Sequence, residues 1–598
     1  MQTNDIIQVI LFFGLLIALA PVLGRYMARV FAGEKTFLHP ILGWVEKATY
    51  KVTGINPAEE MTWLRYFYAV LIFNIVGIVS LMGIQMTQAS LPFNPQQMPN
   101  VPWALALNTA VSFITNTNWQ AYSGEATLSY FTQMAGLAVH NFLSAATGIG
   151  ILLAFARGLK RASSKVLGSF WVDMTRATLY VLAPLSIIVA VFLMSQGVVQ
   201  SMKPYATASL VEPYNNQIAK VDDKGNAVNG ADGKPVMVDN RVDSQTIPTG
   251  PAASQIAIKQ LGTNGGGFFG QNSAHPFENS TPLTNFIELF GLIIIAAGLV
   301  YSFGLLVGDV RQARMLFGVM FMMLVVAFGV AWWSECQPNP VFADSHLGPN
   351  TQLLEGKEQR FGIMNSVLFA VATTGTSCGA VNSMHDSFTP FAGLAPLWNL
   401  LLGCIVFGGV GAGLYGILLH VLITVFIAGL MIGRTPEYLG KKIQAWEASF
   451  AVAGLLIPNL IILISAAIAV RLDTALSSLG NQGPHGLSEI LYAFASSANN
   501  NGSAFGGLSA NTNFYNLSLA AAMFLGRFGV AFCVLAIAGG LAAKKTVPPS
   551  LGSLQTHGWT FGLTLTGVIV IVAALTFFPA LLLGPFVENG LMLAGRTF

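Results

Sequence analysis

Four short stretches of small polar residues recur along the chain, and they contain the groups best suited to bind an ion. Their sequences are TNTN at 115–118, TNGG at 263–266, TSCG at 376–379 and NNNG at 499–502. Each follows a short helix-like run and precedes a long apolar segment. Turns of this kind at membrane depth predict a ring of backbone carbonyls that replaces the water shell of a dehydrated alkali cation. The pattern therefore indicates a conduit for a monovalent cation, with potassium as the first candidate.

The residue types in these four filter segments favour coordination by oxygen. Three segments end in Gly and one in Asn, residues that readily adopt φ > 0 and so allow successive carbonyls to face one axis. Thr and Ser hydroxyls add ligands for a hard cation, and the absence of a carboxylate argues against calcium or magnesium. The candidate K⁺ ligands are Asn116, Thr117, Asn118, Thr263, Asn264, Gly265, Gly266, Thr376, Ser377, Cys378, Gly379, Asn500, Asn501 and Gly502.

Three acidic residues, Glu125, Glu278 and Asp386, follow the filter segments. We expect them either to concentrate cations at an outer mouth or to be solvated loop charges. His275 and His385 lie nearby in the sequence, and we expect them to be hydrogen-bonded loop residues rather than ligands.

The composition places the chain in a membrane. Of its 598 residues, 54% are hydrophobic and only 9% are charged, whereas a soluble domain carries about 25% charged residues. The net charge of +3 is small, and no long basic run indicates nucleic acid. The four cysteines are scattered, so the sequence does not indicate a structural zinc site.

Ten apolar runs are long enough to cross the bilayer, which needs about 20 residues of helix. They are predicted at 5–25, 65–87, 127–156, 177–196, 284–308, 315–334, 391–432, 449–470, 513–543 and 561–585. Four shorter stretches precede the filter segments and are predicted to be half-helices, at 101–115, 252–262, 362–375 and 487–498. Non-helical backbone beyond them is tolerated only where it is buried in protein or lines water.

The positive charges orient these spans. Most lysines and arginines fall in short loops on one side, which places the N-terminus and all four filter segments outside. No positive residue precedes the first span, so we expect it to remain uncleaved.

The order of the segments predicts an all-α polytopic fold with ten transmembrane helices and four span–pore-helix–filter–span repeats. Unequal repeats within one chain build a pseudo-fourfold pore, whereas a symmetric tetramer needs one copy per chain. The alternative is that Asn- and Gly-rich turns are ordinary loops. The predicted units are an extra N-terminal helix at 1–30, pore repeats at 62–158, 174–308 (with a long external loop at 197–250), 313–433 and 447–543, and an extra C-terminal helix at 557–598.

Two further features lie within predicted spans. Arg527 is the only base expected inside the membrane, where a charge costs several kcal/mol. It either opposes leak from the inner end of a cavity below the filter or pairs with an acid or carbonyl groups. The run around Gly408, Gly409 and Gly411 predicts an unwound section that gates the cavity. The alternative there is close helix packing through small residues.

The longer stretches around the filters identify a family. TNTNWQAYSGE (115–125), TNGGGFFGQNSAHPFENSTPLTN (263–285), TSCGAVNSMHDSFTP (376–390) and NNNGSAFGGLSANT (499–512) closely resemble the potassium-binding subunit family (KdpA) of the bacterial Kdp P-type ATPase. The resemblance covers essentially the whole chain. It implies that carbonyls around Thr117, Asn118, Gly265, Gly266, Cys378, Gly379, Asn501 and Gly502 bind potassium and that Gln120 supports the affinity.

The resemblance also implies a setting. The family works in the bacterial inner membrane with a P-type ATPase subunit, a single-span accessory subunit and a small one-helix subunit, and takes up scarce potassium with high affinity. It has an interrupted helix in its third repeat, which favours the break at 407–413. One departure is the loop at about 200–250, which is longer than expected for the family. Its Asn229-Gly230 and Asp232-Gly233 pairs predict a hairpin turn.

The chain lacks the motifs of an ATPase. It contains no GxxxxGK[ST] sequence, no Asp-Lys-Thr-Gly phosphorylation motif and no large inner loop for a nucleotide domain. We therefore expect no bound nucleotide, no enzyme activity of its own and a need for a partner. Basic clusters at 157–165 and 434–442 either dock that partner or contact lipid headgroups. The alternatives are a stand-alone potassium channel or ion-coupled transporter, and a membrane scaffold or receptor.

Overall fold

A computed structural model describes residues 3–219, 236–343, 353–548 and 554–597. Within this part of the chain, ten helices are long and apolar enough to cross a membrane, which confirms the all-α polytopic fold. They are Asn4–Ala32, Trp63–Ser90, Thr132–Lys160, Phe170–Ser195, Pro282–Val307, Val310–Phe342, Ala412–Met431, Ala445–Ala469, Asn513–Ala543 and Trp559–Leu593. We number them spans one to ten.

The seventh span differs from its predicted bounds. The apolar run at 391–432 forms two helices, Pro390–Leu401 and Ala412–Met431, separated by ten residues of non-helical backbone. The predicted Gly-rich break is therefore present, and it separates a half-length helix from span seven rather than bending one continuous helix.

Each predicted half-helix is present, and each leads directly into a filter segment. These four pore helices are Trp103–Ile114, Ala252–Leu261, Gly362–Gly375 and Gly483–Ala498. A helix of twelve residues is only about 18 Å long, too short to cross about 30 Å of hydrocarbon. Beyond the first turn of each helix, nearly all of their residues are buried, so these parts of the helices are enclosed by protein.

Three spans contain wider helical turns, and several short helices connect the elements. The wider turns are Thr132–Ala138, Ala177–Leu182 and Leu582–Phe586. The connecting helices are Gln88–Ser90, Gly124–Thr127, Asn272–Ala274, Pro340–Phe342, His385–Ser387 and Asp473–Leu476. Two residue pairs, Glu437–Tyr438 and Lys441–Lys442, form a small antiparallel ladder.

The predicted external hairpin is present as two strands. Ala206–Ala219 pairs antiparallel with Met237–Ile247, with Ala206 opposite Ile247 and Ala219 opposite Met237. The predicted turn at Asn229-Gly230 and Asp232-Gly233 lies outside the described residues.

One helix of more than a single turn was not predicted. His39–Thr53 lies between the first two spans and exposes Ile41 and Trp44, whereas Glu46 on its other face is buried. Glu46 accepts hydrogen bonds from Arg176 Nε at 3.0 Å and Tyr180 Oη at 2.7 Å. With 15 residues the helix is too short to cross the membrane. Its polar contacts to the fourth span are with Arg176 and Tyr180.

Candidate functional site

The four filter segments leave their pore helices in the same way. In each, a backbone N–H two residues past the helix cap donates to the carbonyl five residues earlier. The bonds join Thr117 to Ser112, Asn264 to Lys259, Cys378 to Thr373 and Asn501 to Ser496, at 2.8–3.0 Å. This shared bond folds each segment back over the helix C-terminus. Because helix C-termini carry partial negative charge, all four point a cation-attracting end toward the filter segments.

The backbone of each segment alternates in sign at two fixed positions. The first position with φ > 0 is Asn116, Thr263, Ser377 or Asn500, and the second is Asn118, Gly265, Gly379 or Gly502. The residue between them has ordinary φ, so successive carbonyls are turned in different directions. Repeated left-handed backbone at non-Gly residues is uncommon, and its recurrence in all four segments marks one repeated device.

This geometry corrects the register of the second segment. The sequence places Gly266 opposite Asn118, Gly379 and Gly502, but the second position with φ > 0 in that segment is Gly265. The helix caps give the same register, since Gly262 corresponds to Thr115, Thr376 and Asn499. The sequences TNTN and TNGG look alike, but TNTN begins at its helix cap Thr115, whereas TNGG begins one residue after its helix cap Gly262.

The four segments lie against one another in a closed ring. A Cβ placed on Gly265 would lie 1.9 Å from the Cys378 carbonyl oxygen, and one on Gly379 would lie 2.1 Å from that of Asn501. A Cβ on Gly502 would lie 1.9 Å from the Thr117 carbonyl oxygen. The ring closes at Gly266, where the corresponding distance to the Asn118 carbonyl oxygen is 2.2 Å. Main-chain oxygens of all four segments therefore surround one axis.

Side-chain hydrogen bonds tie neighbouring segments together. Asn116 Nδ2 donates to the Thr263 carbonyl at 2.9 Å, joining segments one and two. Ser377 Oγ donates to the Asn500 carbonyl at 2.8 Å, and Asn500 Nδ2 donates to Thr117 Oγ1 at 3.0 Å. These side chains therefore join the first segment to the second, the third to the fourth, and the fourth to the first.

The filter segments end at a cavity of about 710 Å³. Its lining includes Asn118, Gly379 and Gly502 together with Gln120. Gln120 Nε2 donates to the Gly267 carbonyl at 2.9 Å, and its Oε1 accepts from the Gly267 N–H at 3.2 Å. Gln120 therefore joins the first and second segments just past the ring.

The predicted mouth acids do not line this cavity. Glu125 Oε2 accepts from the Gly270 N–H at 2.8 Å, and Asp386 Oδ2 accepts from the Gly507 N–H at 2.6 Å. Both brace loops that follow a filter segment. Both expectations for Glu278, an outer-mouth acid or a solvated loop charge, are wrong, because this residue is fully buried and forms an ion pair with Lys259. A carboxylate already paired inside the protein cannot gather cations from solvent.

The two loop histidines are hydrogen-bonded, as expected. His275 stacks on Phe269 with ring centroids 3.9 Å apart and accepts from the Phe277 N–H at 3.1 Å through Nδ1. Burial, with a smaller effect of Arg360, lowers the pKa of His275 to about 4. His385 Nδ1 lies 2.8 Å from Tyr492 Oη.

The interrupted helix lies on the opposite side of the ring. Val410 N–H donates to Thr263 Oγ1 at 3.0 Å, at the beginning of the second filter segment. A Cβ on Gly409 would lie 3.4 Å from Ser377 Cβ, and one on Gly408 would lie 1.7 Å from the Cys404 carbonyl. Gly411, with φ of 91°, caps span seven, and a Cβ there would lie 2.2 Å from the Gly148 carbonyl.

Arg527 lines a smaller cavity of about 80 Å³ on this side, together with Ser377 and Asn500 from the ring. Its side chain is buried, and Nη2 lies 3.4 Å from the Ser144 carbonyl. Among the residues that the structure describes, no carboxylate forms an ion pair with it. Of the partners expected for Arg527, the structure therefore shows a carbonyl.

Sequence analysis missed Lys259, which is fully buried in the second pore helix. The corresponding residues in the other three pore helices are Ser112, Thr373 and Ser496. A lysine therefore takes the place of a small hydroxyl residue in the second pore helix. Arg527 is thus not the only base at membrane depth. A lysine inside a predicted half-helix was the available signal, since such a charge costs several kcal/mol unless paired.

Lys259 begins a polar network that reaches three filter segments. Its Nζ pairs with Glu278 and donates to Asn272 Oδ1 at 3.4 Å, and Asn272 Nδ2 donates to Gln120 Oε1 at 3.2 Å. The next residue, Gln260, donates to Glu288 Oε2 at 2.9 Å and accepts from Cys378 Sγ at 3.5 Å through Oε1. The network therefore connects the first, second and third segments behind the ring.

A ring of main-chain oxygens between two cavities can strip water from a cation of fitting size and pass it along an axis. A sequence model of the family described as KdpA, potassium-transporting ATPase A subunit, matches residues 10–589 of the chain. The same polypeptide thus carries the ring and the sequence pattern of that family.

Similar proteins extend over the full chain. A potassium-transporting ATPase potassium-binding subunit from Geotalea uraniireducens is 55% identical over 593 residues, covering 99% of this chain and all of that protein. One from Methylococcus capsulatus is 52% identical and covers both chains completely.

A solved structure, the potassium transporter TrkH from Vibrio parahaemolyticus, aligns with a TM-score of 0.47 and 16% identity, covering 89% of this chain and 97% of that chain.

Proposed function

The chain belongs to the KdpA family of potassium-transporting ATPase A subunits, and from this premise we propose that it selects, binds and translocates extracellular K⁺ for an ATP-driven uptake complex. The observation that carries the proposal is the ring of backbone oxygens formed by four unequal segments. Carbonyl rings of this kind replace the hydration shell of K⁺.

We assign the ion to the four filter segments, with the register of the second segment corrected. The oxygens nearest neighbouring segments belong to Thr117, Cys378 and Asn501, and Asn264 holds the corresponding position in the second segment. Gln120 supports affinity by fixing the second segment at its exit. The four repeats, with an extra helix at each end, form a pseudo-fourfold pore.

Two elements below the ring oppose uncoupled flow. The guanidinium of Arg527 places a positive charge in the inner cavity and repels a cation that leaves the ring without ATP hydrolysis. The segment 402–411 lies directly beneath the second and third filter segments and acts as a gate. Passage then requires both to be displaced.

The partner is a P-type ATPase subunit, accompanied by a single-span accessory subunit and a small one-helix subunit, in the bacterial inner membrane with the filter segments outside. The relatives are named as the potassium-binding subunit of a potassium-transporting ATPase, and this chain carries no phosphorylation motif. The positive-inside distribution of charge supports the orientation.

Reconstitution tests the function. Proteoliposomes with the complete complex should accumulate ⁸⁶Rb⁺ only with ATP, and K⁺ should stimulate hydrolysis. Proteoliposomes with this chain alone should show no ATP hydrolysis. Rapid passive Rb⁺ flux through the isolated chain, with no stimulation when the ATPase subunit is added, would instead support the stand-alone channel.

A further inference from the structure

Three side chains with metal-ligating atoms meet away from the filter ring. Ligand atoms of Asp386, His485 and Glu489 all lie within 4.8 Å of one another. Asp386 belongs to the short helix His385–Ser387 after the third filter segment, and the other two belong to the fourth pore helix. Residues four apart on a helix share one face, so His485 and Glu489 present their ligands together.

The two carboxylates are held by the protein but keep capacity for a cation. Glu489 is fully buried, and its oxygens accept from Asn481 Nδ2 at 2.8 Å and the Gly480 N–H at 3.2 Å. Each carboxylate oxygen has a second lone pair. Asp386 Oδ2 accepts from the Gly507 N–H, whereas its Oδ1 is buried and receives no hydrogen bond from the protein. That buried oxygen is an independent sign of a missing positive partner.

The imidazole is oriented as metal-bound histidines are. His485 Nδ1 donates to Glu588 Oε1 at 2.8 Å, and the ring stacks on Phe505. A carboxylate on one ring nitrogen fixes the tautomer and makes the other nitrogen a better ligand. Glu588, from the C-terminal part of span ten, therefore completes a carboxylate–histidine arrangement.

The charge balance also favours a cation. Three carboxylates surround one imidazole, and no lysine or arginine within the described ranges forms an ion pair with Asp386 or Glu489. Three carboxylates beside one imidazole leave an excess of negative charge, and burying charge that is not fully compensated is costly. We propose that Asp386, His485 and Glu489 bind one divalent transition-metal ion of the Zn²⁺ or Mn²⁺ class.

The ion would join the loop after the third filter segment to the fourth pore helix, and through Glu588 to span ten. One nitrogen and two carboxylate ligands suit such ions. Ligands about 2.1 Å from zinc lie at most about 4.2 Å apart, so binding draws the three side chains slightly inward. This site is separate from the K⁺ ring and does not depend on it.

Metal binding by the full-length chain, in its complex and purified without a histidine tag, tests the proposal. After dialysis against chelator and then metal-free buffer, ZnCl₂ and MnCl₂ are titrated separately by calorimetry, and bound metal is counted by mass spectrometry. Wild type should bind one equivalent of at least one ion. Glu489→Gln and Asp386→Asn should each weaken binding at least about tenfold, whereas Asp473→Asn, which removes an exposed carboxylate outside the cluster, should bind like wild type.

Asp386 is only partly buried, so its variant keeps the test valid if Glu489→Gln does not fold. Absence of stoichiometric binding of both ions by wild type would overturn the proposal and leave a protonated His485 among carboxylates. Equal binding by wild type and Asp386→Asn would also overturn it.

Discussion

At the scale of single residues, the ion binding that we propose depends on backbone carbonyls rather than on side chains. Carbonyl oxygens converge because glycine, asparagine and small hydroxyl residues accept left-handed φ at fixed positions. The side chains of the same segments bond to neighbouring segments and so hold the oxygens in place. Substitutions should therefore act by displacing oxygens, even where no side chain touches the ion.

Gly379→Ala should weaken K⁺ binding with little loss of folded protein. Its Cβ would lie 2.1 Å from the Asn501 carbonyl oxygen, and φ at this position is 83°. We expect a fall in K⁺ affinity of at least about tenfold, or about 1.4 kcal/mol, measured by K⁺-stimulated ATP hydrolysis. Gly83→Ala, where a Cβ meets nothing within 4 Å, is the matched control. Unchanged affinity in Gly379→Ala would contradict the ring.

Lys259→Met should destabilise the filter through Glu278. Removing one partner of a buried ion pair costs about 3–5 kcal/mol, because the other charge remains buried, and both side chains here are fully buried. We expect a lower thermal unfolding temperature and weaker K⁺ binding. The double variant Lys259→Met/Glu278→Gln should recover part of both, and equal losses in single and double variants would show that the pair is not the cause.

Arg527→Gln should increase passive flux. Loss of the guanidinium charge removes the repulsion of a cation in the cavity below the ring. We expect ATP-independent ⁸⁶Rb⁺ flux in proteoliposomes of the complex to rise by about tenfold, the factor for about 1.4 kcal/mol. Arg527→Lys keeps the charge and should remain tight. If both variants leak equally, packing against Ser144 rather than charge is the role of this residue.

At the scale of elements, the break between two helices places irregular backbone directly under the ring. Such backbone is tolerated at membrane depth because protein encloses it, and segment 402–411 is almost completely buried. Its contacts with Thr263 and Ser377 couple its position to two filter segments. Movement of this segment should therefore change transport rate more than ion affinity.

Gly411→Ala tests this expectation. The added Cβ would lie 2.2 Å from the Gly148 carbonyl, at a backbone φ of 91°, so the segment must shift. We expect ATP-driven Rb⁺ uptake to change severalfold while the K⁺ concentration for half-maximal stimulation stays within about twofold. Gly567→Ala in span ten, with no atom within 4 Å of the new Cβ, should behave like wild type. A change confined to affinity would place the effect in the filter.

At the scale of the whole molecule, a histidine in the loop after the second filter segment makes the stability of the fold depend on pH. Burial, with a smaller effect of Arg360, lowers the pKa of His275 to about 4, whereas an unfolded chain protonates histidine near 6.5. Stability from neutral His275 is therefore complete above pH about 6.5 and decreases as the pH falls toward 4.

The thermal unfolding temperature of the complex should accordingly decrease between pH 6.5 and 4, and less steeply in His275→Gln. His557→Gln is a control, because His557 lies in a loop before span ten. Identical pH profiles for wild type and His275→Gln would show that other groups dominate the acid response.

Much of this architecture can be predicted from local sequence. Span length and hydropathy determined the membrane class, because a helix must satisfy its own backbone hydrogen bonds in lipid. Short apolar runs followed by Asn and Gly determined the four pore helices and filter segments. The Gly-rich run at 407–413 likewise determined where the seventh span is interrupted, since local glycine content weakens helix wherever it occurs.

The remaining features required the tertiary structure, because they depend on which distant residues become neighbours. Sequence similarity aligned Gly266 with Asn118, Gly379 and Gly502. The end of the second pore helix and the positive φ show that Gly265 is the equivalent residue. The sequence alone did not predict that Glu278 pairs with Lys259, because the two residues come together only in the folded chain. Asp386 precedes His485 by 99 residues in the sequence, and it meets His485 and Glu489 only because the loop after the third filter segment packs against the fourth pore helix. Pairing across the fold, not composition, sets the environment of a buried charge.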